Sequence, residues 1–189
     1  MADLPSGAVT FVFTDIEGST RLVRQLRDRY AGALADHQRL VRAAFTGHGG
    51  HEIDTQRDAF FYAFGSAHEA VLAAVEAQLS LSSHPWPEES QFKVRIGVHT
   101  GAAEPVNGRY TGLAVHRAAR ICAAGHGGQV LVSQATQSMI EDEEERLAVS
   151  LRDLGEQRLK DIGPNWALRQ YGLVVSQSRT LDACREPTL

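Results

Sequence analysis

Two cysteines, Cys122 and Cys184, are all that the 189 residues contain. They lie far apart, one inside an apolar helical pattern and one in a polar tail, which excludes a disulfide framework and a thiolate zinc site. No uncharged apolar run reaches the length that crosses a bilayer, and the opening MADLP has neither the basic start nor the apolar middle of a signal peptide. The expectation is a cytoplasmic protein with no membrane partner. Basic residues are also short: 19 Lys and Arg against 23 Asp and Glu give a net charge of -4, without the electrostatic footprint of a nucleic-acid binder. Internal repeats and low-complexity linkers are absent. What remains, 43% hydrophobic residues and 17 glycines, fits one globular domain. We expect it to span 1–175, with 176–189 a polar, flexible tail.

The stretch VTFVFTDIEGST (9–20) sets the functional question. Its β-branched and aromatic residues predict a buried strand. That strand ends on Asp15 and Glu17 and breaks into Gly18, Ser19 and Thr20. A strand-end carboxylate followed by a helix start suits a divalent cation and phosphate oxygens. The alternative is an ordinary helix cap at Ser19 or Thr20, with Asp15 a turn residue.

Apolar positions from Leu22 to Phe45 recur at helical spacing and predict one long amphipathic helix, from the Ser19-Thr20 cap to the glycine-rich stop at 47–50. Segments 51–54 and 59–64 read as a hairpin with Asp58 at its turn. Pairing with the first strand would set Asp58 beside Asp15, and two carboxylates so close repel unless a divalent cation neutralises them. A helix over 67–82 follows, then the alternating strand 92–99, a loop at Asn107-Gly108, and a helix over 112–124. The remainder predicts a strand at 129–132, a short helix capped by Ser133, a solvated acidic run at 141–145, and strands near 149–154, 157–162 and 167–173. Strands and helices alternate early while the end is strand-rich, so a mixed α/β (α+β) sheet with helices packed on it is the expected architecture. His48, His51 and His99 form no recognisable ligand set.

On the helix in YTGLAVHRAARICAAG, His116 and Arg120 are four apart and share a face. An arginine fork there suits phosphate, the alternative being a surface ion pair.

In this order, FVFTDIEGST, DTQRDAFFYAF, FKVRIGVHTG, YTGLAVHRAARI, GGQVLVS and LGEQRLKDI resemble the class III adenylate and guanylate cyclase catalytic domain, most closely its actinobacterial subgroup. The resemblance covers nearly the whole chain. It implies a ferredoxin-like mixed sheet and a homodimer whose active sites lie between two catalytic domains. It also implies two Mg²⁺ or Mn²⁺ ions held by Asp15, Asp58 and the Ile16 carbonyl. ATP, or GTP, would be converted to the 3′,5′-cyclic monophosphate and pyrophosphate. Gly18, Ser19 and Thr20 would meet the phosphates, Lys160 the terminal ones, and Arg120 of the other subunit would stabilise the transition state.

Four residues depart from the family pattern. Asp54 and Arg109 stand where the base-reading lysine and its partner are expected. Asp54 could accept from the adenine amino group or from guanine and Arg109 could donate to guanine, so the purine is open, with ATP preferred on the resemblance alone. The alternative is that the two pair across the dimer and read no base. His116 replaces a ribose-orienting asparagine. Arg57 replaces the glycine before Asp58, where a positive φ would be strained and the guanidinium could pair with Asp58. A second reading follows: a degenerate cyclase-like module that binds nucleotide or pairs with another cyclase domain. A phosphoacceptor receiver domain also explains a strand-end aspartate, but gives the His116 and Arg120 helix no role.

Overall fold

The computed structural model describes residues 4–87, 90–141, 149–158 and 167–175. Within them the chain runs β1 (Gly7–Ile16), α1 (Ser19–Leu26), a 3-10 turn (Arg27–Arg29), α2 (Tyr30–Gly47), β2 (His51–Gln56), β3 (Ala59–Phe64) and α3 (Ala67–Ser83). It continues through β4 (Val94–Ala103), α4 (Leu113–Ala124), β5 (Val130–Ser133), α5 (Gln134–Ile140), β6 (Val149–Arg158) and β7 (Ala167–Val175). The strands make one sheet in the order β2-β3-β1-β4-β5-β7-β6. The first four with their helices form the βαββαβ unit of the ferredoxin-like fold. β4 and β5 pair in parallel across the α4 crossover, and the other pairs are antiparallel.

β1 lies at the centre of that unit because it is apolar on both faces. Val12 and Ile16 pack with Phe45, Phe60, Tyr62 and Phe64 beneath α2 and α3, while Val9 and Phe11 pack with Phe61, Tyr110 and Ala118 on the α4 side. Its buried threonines are satisfied. Thr10 Oγ1 bonds Thr100 Oγ1 at 2.9 Å, and Thr14 Oγ1 accepts from Phe60 N at 3.2 Å. α4 packs on β4, β1 and β5. It comes so close that a Cβ on Gly97 would stand 2.2 Å from the Cys122 nitrogen, so glycine is required there. On the same face Phe61 and Ala63 of β3 are buried with Phe11, Tyr110 and Ala118, while β2 alternates between half-buried and exposed.

The single long helix expected over 19–47 is broken. α1 ends at Leu26, Arg27 takes φ 47°, and α2 begins at Tyr30. Between the buried Leu26 and the half-buried Tyr30 stand only Arg27, Asp28 and Arg29, with no apolar side chain to hold a further turn against the sheet. Val23, counted in the apolar stripe, is 45% exposed. The expected cap is also displaced: Gly18, at φ 70°, is the N-cap, Ser19 and Thr20 are the first helical residues, and no side chain caps α1. The strand expected near 149–154 and the start of the one expected at 157–162 are one strand, β6, with a register shift around Gly155, φ 75°, and 159–162 lie outside the described residues. Ser133 does cap α5, accepting from Thr136 N. His48, expected in a polar turn, bridges Glu69 at 2.8 Å and Glu76 at 2.9 Å. Burial opposes its charge, but the two hydrogen bonds outweigh burial and raise its pKa. The acidic run 142–145, Cys184 and the tail lie outside the described residues.

Candidate functional site

The sheet register brings the backbones of Asp15 and Asp58 to the same end of β1 and β3. Thr14 pairs with Phe60, so continuing along β1 brings Asp15 toward Ala59 and Ile16 toward Asp58. Asp58 is the second residue of the two-residue turn between Gln56 and Ala59. Arg57, the first, sits at φ 57° while Asp58 does not take positive φ. That is the type II′ pattern, whose first position favours glycine. A side chain there costs about 1–2 kcal/mol. The expected ion pair between Arg57 and Asp58 does not form among the described residues, and Arg57 points to solvent.

One oxygen of Asp58, Oδ2, is buried without a hydrogen-bond partner. A buried carboxylate oxygen is costly unless a cation or donor meets it. Behind it stand Tyr30 and His37 on α2. Burial, and then the Asp58 charge, raises the Tyr30 pKa. His37 is fully buried, with both ring nitrogens unpartnered and its ring beside Phe60 and Phe92. Burial lowers its pKa to about 4, with Asp58 opposing.

Asp15 faces Arg95 across the β1 and β4 register, and the guanidinium donates to its carboxylate. Sequence reasoning missed Arg95. Its signal was present: two strands that each carry a charge at the same end of an apolar run. Among the described residues no group of three or more His, Cys, Asp or Glu side chains is arranged to hold a metal ion. The available set is two carboxylates and a backbone carbonyl, hard oxygen donors that fit Mg²⁺ or Mn²⁺ with positions left for phosphate oxygens. The unpartnered Asp58 oxygen agrees with that fit.

A cavity of about 470 Å³ opens beside Gly18, walled by Glu17, by Arg21, Leu22 and Gln25 of α1, and by Gln91 and Lys93 before β4. Neither Arg21 nor Lys93 pairs with a carboxylate among the described residues. Both are additions to the expected phosphate set. Lys160 lies outside the described residues.

A second cavity, of about 250 Å³, brings Asp54 and Arg109 together with Ile53, Phe61 and Tyr110. Asp54 lies just past a register shift in β2, with Oδ1 accepting from Thr55 N at 2.9 Å and Oδ2 from Gln56 Nε2 at 3.0 Å. Arg109 closes a tight turn whose central residues, Asn107 at φ 51° and Gly108 at φ 74°, have the type I′ signs. It makes no ion pair with Asp54. Phe13 stacks on Phe61 with centroids 4.4 Å apart, and Phe61 packs with Tyr110 and Ala118, so this cavity lies on the α4 side of the sheet. His116 is exposed and Arg120 half-buried one turn later on α4. Leu113, at the start of α4, is 60% exposed and Val106 is 65% exposed.

Comparison with known proteins gives consistent results. The family described as the adenylate and guanylate cyclase catalytic domain matches residues 2–173. An adenylate cyclase of Lachancea kluyveri is 33% identical over 154 residues, 68% of this chain and 8% of that protein. An uncharacterized protein of Mycobacterium tuberculosis is 32% identical over 170 residues, 87% of this chain and 56% of that protein. The chain thus spans little more than half of one relative and a small part of the other. Among solved structures, an adenylate cyclase from Trypanosoma brucei studied in its monomeric state superposes with a TM-score of 0.82 at 27% identity, covering 94% of this chain and 93% of that one. A guanylate cyclase domain from Catenaria anguillulae in complex with GTP gives 0.75 at 18% identity, covering 89% and 97%, a likeness of fold.

Proposed function

The chain belongs to the adenylate and guanylate cyclase catalytic-domain family, and we propose that it is a metal-dependent purine nucleotide cyclase of the actinobacterial subgroup, acting in the cytoplasm as a homodimer. Residues 1–175 form the catalytic unit in this reading. The observation that carries it is the buried, unpartnered Oδ2 of Asp58, on the hairpin turn at the same end of the sheet as Asp15. Bound there, two divalent cations lower the pKa of the ribose 3′-hydroxyl and neutralise the triphosphate.

The chain's own residues do the rest. Asp15, Asp58 and the Ile16 carbonyl hold the cations. With the Asp15 carboxylate engaged by a cation, the Arg95 guanidinium that now donates to it would be available to phosphate oxygens. Gly18, Ser19 and Thr20 present backbone N-H groups at the uncapped start of α1, and Arg21 and Lys93 balance charge on the terminal phosphates. The 3′-oxygen loses its proton and bonds to the α-phosphorus, the bond from that phosphorus to the bridging oxygen breaks, and pyrophosphate leaves. Arg120 from the partner subunit stabilises charge on the α-phosphoryl group, and His116 orients the ribose. The exposed Leu113 and Val106 support a paired arrangement.

The Asp54 and Arg109 cavity favours guanine. Guanine offers N1-H and N2-H₂ to a carboxylate and accepts at O6 and N7 from a guanidinium, whereas adenine offers Asp54 only its amino group. We therefore propose GTP over ATP, against the preference that the resemblance alone gives.

Strain at Arg57 favours a second reading, a degenerate module that binds nucleotide and completes another cyclase domain as a heterodimer. Steady-state kinetics on Arg120→Ala separate the two. An active cyclase loses about 10²-fold in kcat with little change in KM, as expected for a group that acts in the transition state. A wild-type chain without turnover, or an unchanged kcat in the variant, contradicts the catalytic assignment.

A further inference from the structure

α2 reaches the Asp58 turn at its backbone as well as beneath its carboxylate. Gln38, next to the buried His37, donates from Nε2 to the Arg57 carbonyl at 2.7 Å. That oxygen belongs to the peptide joining Arg57 to Asp58, so its direction fixes ψ of Arg57 and φ of Asp58 together. Those two angles set where the Asp58 Cα-Cβ bond points. With glycine at the first turn position the II′ geometry would hold without help. With Arg57 at φ 57° it is strained, and the turn is held from below by the Gln56 and Ala59 pair and from the side by Gln38.

We infer that Gln38 is a positioning residue for Asp58, holding the Arg57 peptide in its positive-φ conformation and so fixing the direction of the Asp58 carboxylate. The inference rests on the reading of Asp58 as a metal ligand. It also accounts for how a chain that lacks the turn glycine keeps the geometry that glycine would supply. The role belongs to the pair: Gln38 matters because residue 57 has a side chain.

The test is a double-mutant cycle read by binding of Mn²⁺ alone, followed as loss of the free-ion electron paramagnetic resonance signal. Gln38→Ala and the similar-sized Gln38→Met, which has no donor, are each expected to weaken Mn²⁺ binding about 3- to 10-fold, the worth of one net hydrogen bond. In an Arg57→Gly background the same substitutions should cost less than about twofold, because glycine needs no clamp. Urea midpoints measured on the same samples separate a folding defect from a metal-site defect. Equal losses in both backgrounds, or a fall in stability with Mn²⁺ affinity unchanged, overturn the inference while leaving the metal site standing. Wild-type affinity in Asp58→Asn overturns the metal reading itself, and Gln38 with it.

Discussion

Mixing equal amounts of an Asp15→Ala chain and an Arg120→Ala chain, each inactive alone, is expected to restore about a quarter of wild-type cyclase activity. The fraction follows from counting. Half of randomly assembled dimers carry one chain of each kind. In such a dimer one site takes both carboxylates from the Arg120→Ala chain and its arginine from the Asp15→Ala chain, and is complete. The other site lacks both. Rapid exchange of subunits is needed, so the mixture is incubated and its dimers are confirmed by mass before the assay. No recovery from confirmed mixed dimers would mean that each site is built from one chain, and the assignment of Arg120 to the partner's site would fall.

The second large effect is on stability in acid. His37 and His99 are both buried, and burial lowers each pKa to about 4; the Asp58 charge opposes this at His37, while Arg117 adds to it at His99. Each folded value lies below the unfolded value of about 6.5, so the unfolded chain binds these protons first. Their contribution is therefore complete above pH 6.5 and is lost as pH falls toward 4. Each group costs up to about 3 kcal/mol across that window, an order-of-magnitude figure from 1.36 kcal/mol per pH unit. The carboxylates act lower: Glu52, held to about 2 by its Arg42 hydrogen bond, loses its share only below pH 4.5. His48, with its pKa raised, stabilises at low pH and loses that share as pH rises, the opposite direction. Urea unfolding at pH 7, 5.5 and 4.5 should show the fall, and His37→Phe, placed among Phe60 and Phe92, should remove about half of its slope. A slope that is the same with and without His37 contradicts the account.

Much of the fold is legible in the chain because its local signals agree with its packing. The alternation at 92–99, the Asn107-Gly108 turn and the Ser133 cap each name their own geometry. Arg57 is the sharpest case: its place where the family resemblance has glycine raises the question of a strained positive φ, and the structure has φ 57°. The breaks in that legibility have physical causes. The run 27–29 reads as helix by propensity, but without an apolar anchor the chain turns there instead. The β6 irregularity at Gly155 divides one strand into what periodicity counts as two. Arg95 and Gln38 escape sequence reading for another reason. Their partners, Asp15 and the Arg57 carbonyl, are 80 and 19 residues away, and only strand register and the path of α2 bring them together. The cavity at Asp54 and Arg109 likewise exists only once the β2 register shift and the I′ turn face each other.

The most direct measurement of the central claim is product formation by the purified chain with Mn²⁺ or Mg²⁺, supplied with GTP or ATP, beside an Asp58→Ala control. The account predicts a cyclic nucleotide and pyrophosphate in equal amounts, faster from GTP, with product absent from the control. No cyclic product from a folded, dimeric wild-type chain, or equal product from Asp58→Ala, would contradict it.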